Sequence, residues 1–322
     1  MNFSVAQDEI LHLIQNDSFP PAVHEQRRLT CKKVFTRRQF MVNTLIAAIG
    51  LAMPNNPFAH QQKKSRVILV RNRDVLDNNG TPRDDMVRAM LDQAVAMLVG
   101  ANDPRDAWKT IIMPDDIVGI KTNVWHYLPT PAPVEQALKK CVRDAGVAED
   151  RIGIDDRGVL ENPIFHHATA LINVRPMRTH HWSGVGSLIK NYIMFVPDPY
   201  NYHGDSCADL ASIWHKPIIK DKTRLNILVM LTPQFHGVGP HSFSPQYVWK
   251  YYGLLAGFDP VAVDAIGLKI ILAKRRQFFG DDRPLTPPAK HILLADTRHH
   301  LGTADFKKIE LIKLGFTEDI LI

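Results

Sequence analysis

From residue 66 onward, short apolar runs alternate with longer stretches in which apolar positions return every three or four residues. Residues 66–72 (RVILVRN) are apolar at their centre and rich in β-branched side chains, the pattern of a strand buried on both faces. In residues 84–99, Met86, Val87, Met90, Leu91, Ala94, Val95 and Leu98 fall on one side of a helix that Gly100 is placed to end. Residues 116–123 (DIVGIKTN) read as a strand closing in polar residues. Residues 131–146 read as a helix with Val134, Leu138, Cys141, Val142 and Ala145 on one face, Pro at its start and Gly at its end. Residues 151–156 and 170–174 read as strands, 184–196 and 205–214 as helical, 225–231 (LNILVML) as the clearest strand, 254–257 as a short one and 259–276 as a long helix. Strands separated by helices predict an α/β fold, a mostly parallel sheet flanked by helices in Rossmann-like layers, as a single domain over residues 61–322. No internal repeat of fixed period is present.

The N-terminal part differs. Thr36-Arg37-Arg38-Gln39-Phe40-Met41, followed by the uncharged apolar stretch 41–53, has the order of a basic segment and a short hydrophobic segment and resembles a twin-arginine (Tat) export signal. The apolar stretch falls short of the ~20 residues that span a bilayer as a helix, so no permanent membrane span is expected. Residues 1–60 are accordingly expected to be a leader outside the fold, with the Tat export machinery as a partner and a periplasmic or extracytoplasmic destination. Six basic side chains (Arg27, Arg28, Lys32, Lys33, Arg37, Arg38) and four acidic ones (Asp8, Glu9, Asp17, Glu25) lie in this leader, so of the net charge of +6 the rest of the chain keeps +4. That surplus suits a small anionic substrate; no basic run or nucleic-acid signature accompanies it, and no nucleic-acid partner is expected.

Cys31, Cys141 and Cys207 are too few and too scattered for a CxxC zinc or iron–sulfur arrangement, and Cys31 lies in the leader. The remaining pair permits one disulfide at most; two buried thiols are the simpler expectation. A serine-hydrolase elbow, a P-loop and a dinucleotide fingerprint are all absent from the sequence.

The polar clusters fall just after the apolar strands. In open α/β sheets ligands bind outside the carboxyl ends of strands, where backbone amides and helix starts converge. Lys121 and Asn123 close the 116–123 strand and suit an anion and its orientation. Asp155-Asp156 closes the next strand; neighbours on a strand point to opposite faces, so one of the two is expected to turn inward as a possible cation ligand. The densest segment is 173–191 (NVRPMRTHHWSGVGSLIKN). Arg178 and Lys190 suit an anion there, with Asn191 beside them, and His180 and His181 are proton carriers near neutral pH. Asp259-Pro260 fits a helix start, with Asp259 as cap or cation site, and Asp264 lies among apolar residues, where a buried carboxylate needs a partner such as Lys121, Arg178 or Lys190. A divalent metal held by His180, Asp155 and a later histidine, His236 or His241, is a further possibility. Nine aromatic residues in two stretches (Tyr192, Phe195, Tyr200, Tyr202, Trp214; Tyr247, Trp249, Tyr251, Tyr252) read as core or as a lid over the cleft.

Three blocks, IKTNVWHYLPTPAPVEQALKKCVRDAG, INVRPMRTHHWSGVGSLIKN and GLLAGFDPVAVDAIG, resemble in this order the DUF362 family of prokaryotic proteins, over about residues 66–275. The resemblance implies that Lys121, Asn123, Arg178, His180, Lys190, Asn191, Asp259 and Asp264 line one cleft, and it implies no particular activity. Many relatives carry a ferredoxin-like cysteine cluster; this sequence lacks it, so no iron–sulfur cluster is expected. The expectation from the sequence is an exported enzyme acting on a small anionic molecule. In it, Lys121, Arg178 and Lys190 fix the anion with Asn123 and Asn191, His180 or His181 moves a proton, and Asp264 orients a cation or base. A non-catalytic periplasmic anion-binding protein and a metal or redox-cofactor protein are the alternatives.

Overall fold

The computed structural model describes residues 64–237 and 242–322. The twin-arginine-like leader with Cys31, and the loop segment that includes His241, lie outside the described residues.

Apolar runs with polar or glycine punctuation become strands, and amphipathic stretches become helices on both sides of the sheet. In chain order these are β1 (Ser65–Arg71), α1 (Asp84–Val99), α2 (Pro104–Ile111), β2 (Val118–Lys121), α3 (Ala132–Asp144), β3 (Ile152–Asp155), α4 (Pro163–His167), β4 (Ala170–His180), β5 (Gly184–Gly186), α5 (Leu188–Asn191), β6 (Thr223–Gln234), β7 (Gly253–Gly257), α6 (Pro260–Phe279), α7 (Lys290–Thr297) and β8 (Ile309–Gly315). The eight strands form one sheet in the order β3-β2-β4-β6-β7-β1-β8, with β5 folded back on β4. Pairings β2–β3, β2–β4, β4–β6 and β1–β8 are parallel; β7 runs antiparallel to both of its neighbours and β5 antiparallel to β4. The fold is thus α/β, with a mostly parallel mixed sheet flanked by helices.

Side-chain alternation along the central strands feeds two cores. Ile68, Val70, Ile120, Ile172, Val174 and Ile227 pack with α1, α2 and α3 on one face, whereas Val67, Leu69, Leu171, Leu228 and Leu255 pack with α6 on the other. Gly100 and Gly280 adopt left-handed conformations that end α1 and α6. The Asp259 side chain caps α6 by accepting from the Val261 and Ala262 amides, with Pro260 in the first turn. Among the described residues no helix is long and apolar enough to cross a membrane, and Cys141 and Cys207 are free, buried thiols.

Close approach explains one glycine. Gly119 and Gly153 are register partners on β2 and β3, and α4 lies on them; a Cβ at Gly153 would stand 2.9 Å from the Cβ and Cγ2 atoms of Ile164. Because the branched Cβ of Ile164 cannot swing away, Gly153→Ala is expected to cost about 1–3 kcal/mol, read as a lower midpoint in thermal unfolding.

Several elements depart from the sequence pattern. The expected helix over 184–196 is present only in its second half: Gly184 (φ +71°) and Gly186 pair with His180 and Arg178, and helical geometry begins at Leu188, as one α-helical turn continued by a 3-10 helix (Tyr192–Phe195). Two glycines favour the extended return over helix continuation. The expected helix over 205–214 is broken, because Asp205, Ser206 and Cys207 take positive φ, which a right-handed helix does not admit; a 3-10 turn (Leu210–His215) follows. Strands β4 and β6 extend beyond the apolar runs that announce them. Edge strand β8 (IELIKLG) and helices α2 and α7 carry weaker apolar signals.

Candidate functional site: a buried cationic cavity at the strand ends

Lys121 is the last residue of β2 and is completely buried. Its ammonium donates to Asp156 Oδ1 at 2.5 Å and to the Thr122 carbonyl at 2.8 Å, and the other Asp156 oxygen accepts from the Val124 amide. Burial brings the Lys121 pKa down to about 8, and the neighbouring Asp156 charge opposes that fall. Of the acidic pair at the end of β3, Asp156 is therefore the residue that turns inward. Asp155, expected as a cation ligand, instead accepts from the Gly158 amide and the Asn162 side chain and fixes the local turn.

Asn191 locks the strand ends together. Its Nδ2 lies within donor reach of the Lys121 and Val174 carbonyls and of Asn173 Oδ1, and Asn173 in turn donates to its register partner Asn226 and to the Leu188 carbonyl. With these bonds made, Asn191 is a positioning residue for the turn that carries Lys190.

Asp264 holds the same turn from below. Its carboxylate accepts from the Ser187 hydroxyl (2.6 Å) and from the Leu188 and Ile189 amides (2.9 Å each). Burial raises its pKa to about 6 in spite of these three donors. The lysine or arginine partner expected for it is replaced by backbone amides and a hydroxyl. Asp259 lies elsewhere: it caps α6 and accepts from Ser65 and Thr303, at the start of β1 and thus at the opposite edge of the sheet from Lys121.

Above this floor opens a cavity of about 250 Å3, lined among others by Asn123, Asp156, Arg175, Arg178, His180 and Lys190. Arg175 and Arg178 are 3% and 4% exposed and Lys190 is 4% exposed. Among the described residues the salt bridge of this cluster is Lys121–Asp156; Arg175 donates to the Ser187 carbonyl, Arg178 reaches only the Thr179 carbonyl at 3.5 Å and lies on the Trp125 ring at 3.9 Å, and both Nε atoms are buried without a partner. Gly186 makes room for the Arg175 guanidinium, which would stand 2.8 Å from a Cβ there. Desolvation pushes the Arg175 pKa down to about 10 and that of Arg178 well below its usual value. Since arginine keeps its proton, these shifts express the cost of confining charges that Asp156 and Asp264 offset only from a distance.

Lys190 completes the cluster. Its ammonium lies 3.0 Å from His203 Nε2 and 3.7 Å from Cys207 Sγ, and burial, with Arg175 and Arg178 adding to it, brings its pKa down to about 8. His203 is held neutral at about 4 by desolvation and the nearby ammonium. His180 accepts the Trp182 amide on Nδ1 at 3.1 Å, so its proton sits on Nε2. Burial and three surrounding cations drive its pKa far below the usual range, which keeps the ring neutral. His181 stacks on it, with ring centroids 4.8 Å apart. The Oδ1 of Asn123 is buried without a partner.

Seven of the ten residues singled out from the sequence (Lys121, Asn123, Arg178, His180, His181, Lys190 and Asn191) thus cluster around these strand ends; Asp264 supports them, Asp155 turns away and Asp259 is remote. Asp155 and His236 do not line the cavity; His236 packs against Arg275 and Tyr247, and among the described residues, which exclude His241, no group of three His, Cys, Asp or Glu side chains is placed to hold a metal ion. The expected aromatic lid is mostly core: Tyr192, Phe195 and Trp214 are buried. The aromatic rings at the cavity are Trp125 and Trp182, which carried no periodic signal, though each follows a cluster of polar residues at a strand end.

The sequence of these strand ends matches a known family. The family model for DUF362, a domain of unknown function, covers residues 156–269. The chain carries a DUF362 domain. The match takes in Asp156, both arginines, His180, Lys190, Asn191 and Asp264, while Lys121, Asn123 and Trp125, on β2 and the loop after it, lie before the matched residues. No curated protein and no solved structure matches the chain.

Proposed function

We propose that the DUF362 domain binds a small oxyanion between Arg175, Arg178 and Lys190. The observation that carries this reading is the pair of buried guanidiniums whose Nε groups lack any partner, beside a buried ammonium without a carboxylate in ion-pair reach. Confined charges of one sign are costly, and a bound oxyanion would offset that cost and accept the free donors in charge-assisted hydrogen bonds. A catalytic use of the anion falls to Lys190 rather than to His180. With a pKa of about 8 and a neutral imidazole 3.0 Å away, its amine releases and regains a proton near neutral pH.

Titration of the protein with inorganic phosphate and with sulfate tests the reading. Saturable heat in calorimetry and a melting temperature that rises with ligand concentration are expected. Because the bound anion favours the Lys190 ammonium, whose pKa is about 8, affinity for sulfate should begin to fall as pH approaches 8 and drop by up to tenfold per pH unit above it as Lys190 loses its proton. Neither heat nor thermal shift at millimolar phosphate or sulfate would remove the proposal.

A further inference from the structure

The cavity is not lined by charge alone. Its lining also includes the apolar side chains Ile193, Met194 and Pro199 and the indoles of Trp125 and Trp182. Arg178 occupies one face of Trp125 at 3.9 Å, and the Trp125 ring is braced by Tyr127 and Phe243 at 5.1 and 5.9 Å. Trp182 differs: it is 42% exposed although it sits on a loop whose neighbours His180 and Ser183 are buried. The rings of His181 and His203 hold it at 4.3 and 4.1 Å, both tilted, and Tyr200, 73% exposed, stands edge-on to it at 6.4 Å. An indole fixed by two imidazoles and open to solvent beside a cationic cavity is poorly explained by core packing. It presents a flat apolar surface next to the anion position.

We propose that the ligand of this site is an oxyanion ester or acid of a flat aromatic ring, whose anionic group sits on Arg175, Arg178 and Lys190 and whose ring lies against Trp182 at the mouth. This deepens, and rests on, the oxyanion reading above. The volume of about 250 Å3 lies below the ~300–1,000 Å3 of sites that enclose drug-sized ligands, so the anionic group and the ring must be joined directly or by a short link. Rings gain most by offset or edge contacts with an indole, and the Trp182 side chain offers both from its exposed side.

Three probes separate the possibilities by calorimetry on the folded chain: inorganic phosphate, phenyl phosphate and glycerol 3-phosphate. Phenyl phosphate is expected to bind at least about tenfold more tightly than either of the others, toward the lower end of what stacking of a flat ring on an aromatic side chain yields. In Trp182→Ala the ratio between phenyl phosphate and phosphate affinities should fall to about two or less. A wild-type ratio near one, glycerol 3-phosphate binding as tightly as phenyl phosphate, or a ratio unchanged in Trp182→Ala would each overturn the aromatic assignment while leaving the oxyanion site standing. Should Trp182→Ala not fold, the wild-type ratios decide alone. Failure of all three probes to bind the wild type would instead take down the oxyanion reading, and this assignment with it.

Discussion

Asp264→Ala is expected to lower the melting temperature by roughly 10 °C and to abolish phosphate binding, although Asp264 touches no part of the cavity surface. The carboxylate gathers the Ser187 hydroxyl and the Leu188 and Ile189 amides. Its removal leaves three buried donors unpaired at about 1–3 kcal/mol each, partly offset by relief of a buried charge. A net loss of about 3 kcal/mol corresponds to the stated shift for a domain of this size. Binding disappears because the released turn is the one that carries Lys190 and Asn191. Asp264→Asn separates the two roles a carboxylate might have here. The amide keeps an acceptor, the Ser187 hydroxyl can rotate to accept from its NH2, and only one backbone donor is stranded while the charge is gone. That variant should melt within a few degrees of wild type. The pH dependence has a definite sign. Burial raises the folded pKa of Asp264 from its usual 3.8 to about 6, so the folded state holds a proton that the unfolded chain loses. The stability this group contributes is complete below about pH 4 and is lost as pH rises through 6. Burial holds His180, His203 and His291 neutral, which makes stability rise with pH over this range in any variant that keeps them. The Asp264 contribution is therefore read as a difference: the unfolding midpoint of wild type relative to Asp264→Asn should fall between pH 4 and 7. An Asp264→Ala protein that melts like wild type would show that the clasp does not hold the turn.

Lys190→Met is expected to do the reverse: phosphate affinity falls at least tenfold while the melting temperature stays level or rises by a few degrees. The ammonium is buried beside two guanidiniums and has an imidazole and a thiol as neighbours, so replacing it strands no carboxylate and removes like-charge repulsion. Methionine fills nearly the same space. Loss of binding without loss of stability marks a residue kept for function at the expense of the fold. Lys190 also predicts a pH effect in the unliganded protein. Its folded pKa is lowered from 10.5 to about 8, so between these values the unfolded chain binds more protons and stability rises with pH. Lys121, lowered likewise to about 8, contributes the same trend, and in Lys190→Met the rise should be reduced rather than absent. A fall of the melting temperature by 5 °C or more in Lys190→Met would make the ammonium a structural element.

The parts of the fold legible in the sequence are those where one local rule dominates. Residues 84–99 combine strict helical periodicity with a terminal glycine, and α1 ends where Gly100 turns left-handed; the Asp259-Pro260 pair begins α6 as its chemistry requires. The stretch 184–196 misleads because its apolar spacing fits a helix while its pairing partner, the far end of β4, is defined only by tertiary structure. The site follows the same division. That basic residues collect at the carboxyl ends of β2 and β4 follows from strand placement alone. Which of Asp155 and Asp156 points inward depends on where β3 stops, and the pairing of Lys121 with Asp156 decides which cations remain free for a ligand. Arg175 lies within the polar segment 173–191, but its burial beneath Gly186 follows from the return of β5. The neutral state of His180 is likewise a product of folding, since it arises from burial among cations that come together only in three dimensions.

A crystal structure of the protein grown with tungstate, an electron-dense oxyanion of phosphate-like shape, tests the central claim most directly. One strong peak is expected within hydrogen-bond distance of the Nε or Nη atoms of Arg175 and Arg178 and of Lys190 Nζ. A saturated crystal with tungstate bound elsewhere on the protein, and ordinary solvent between these three side chains, would contradict it.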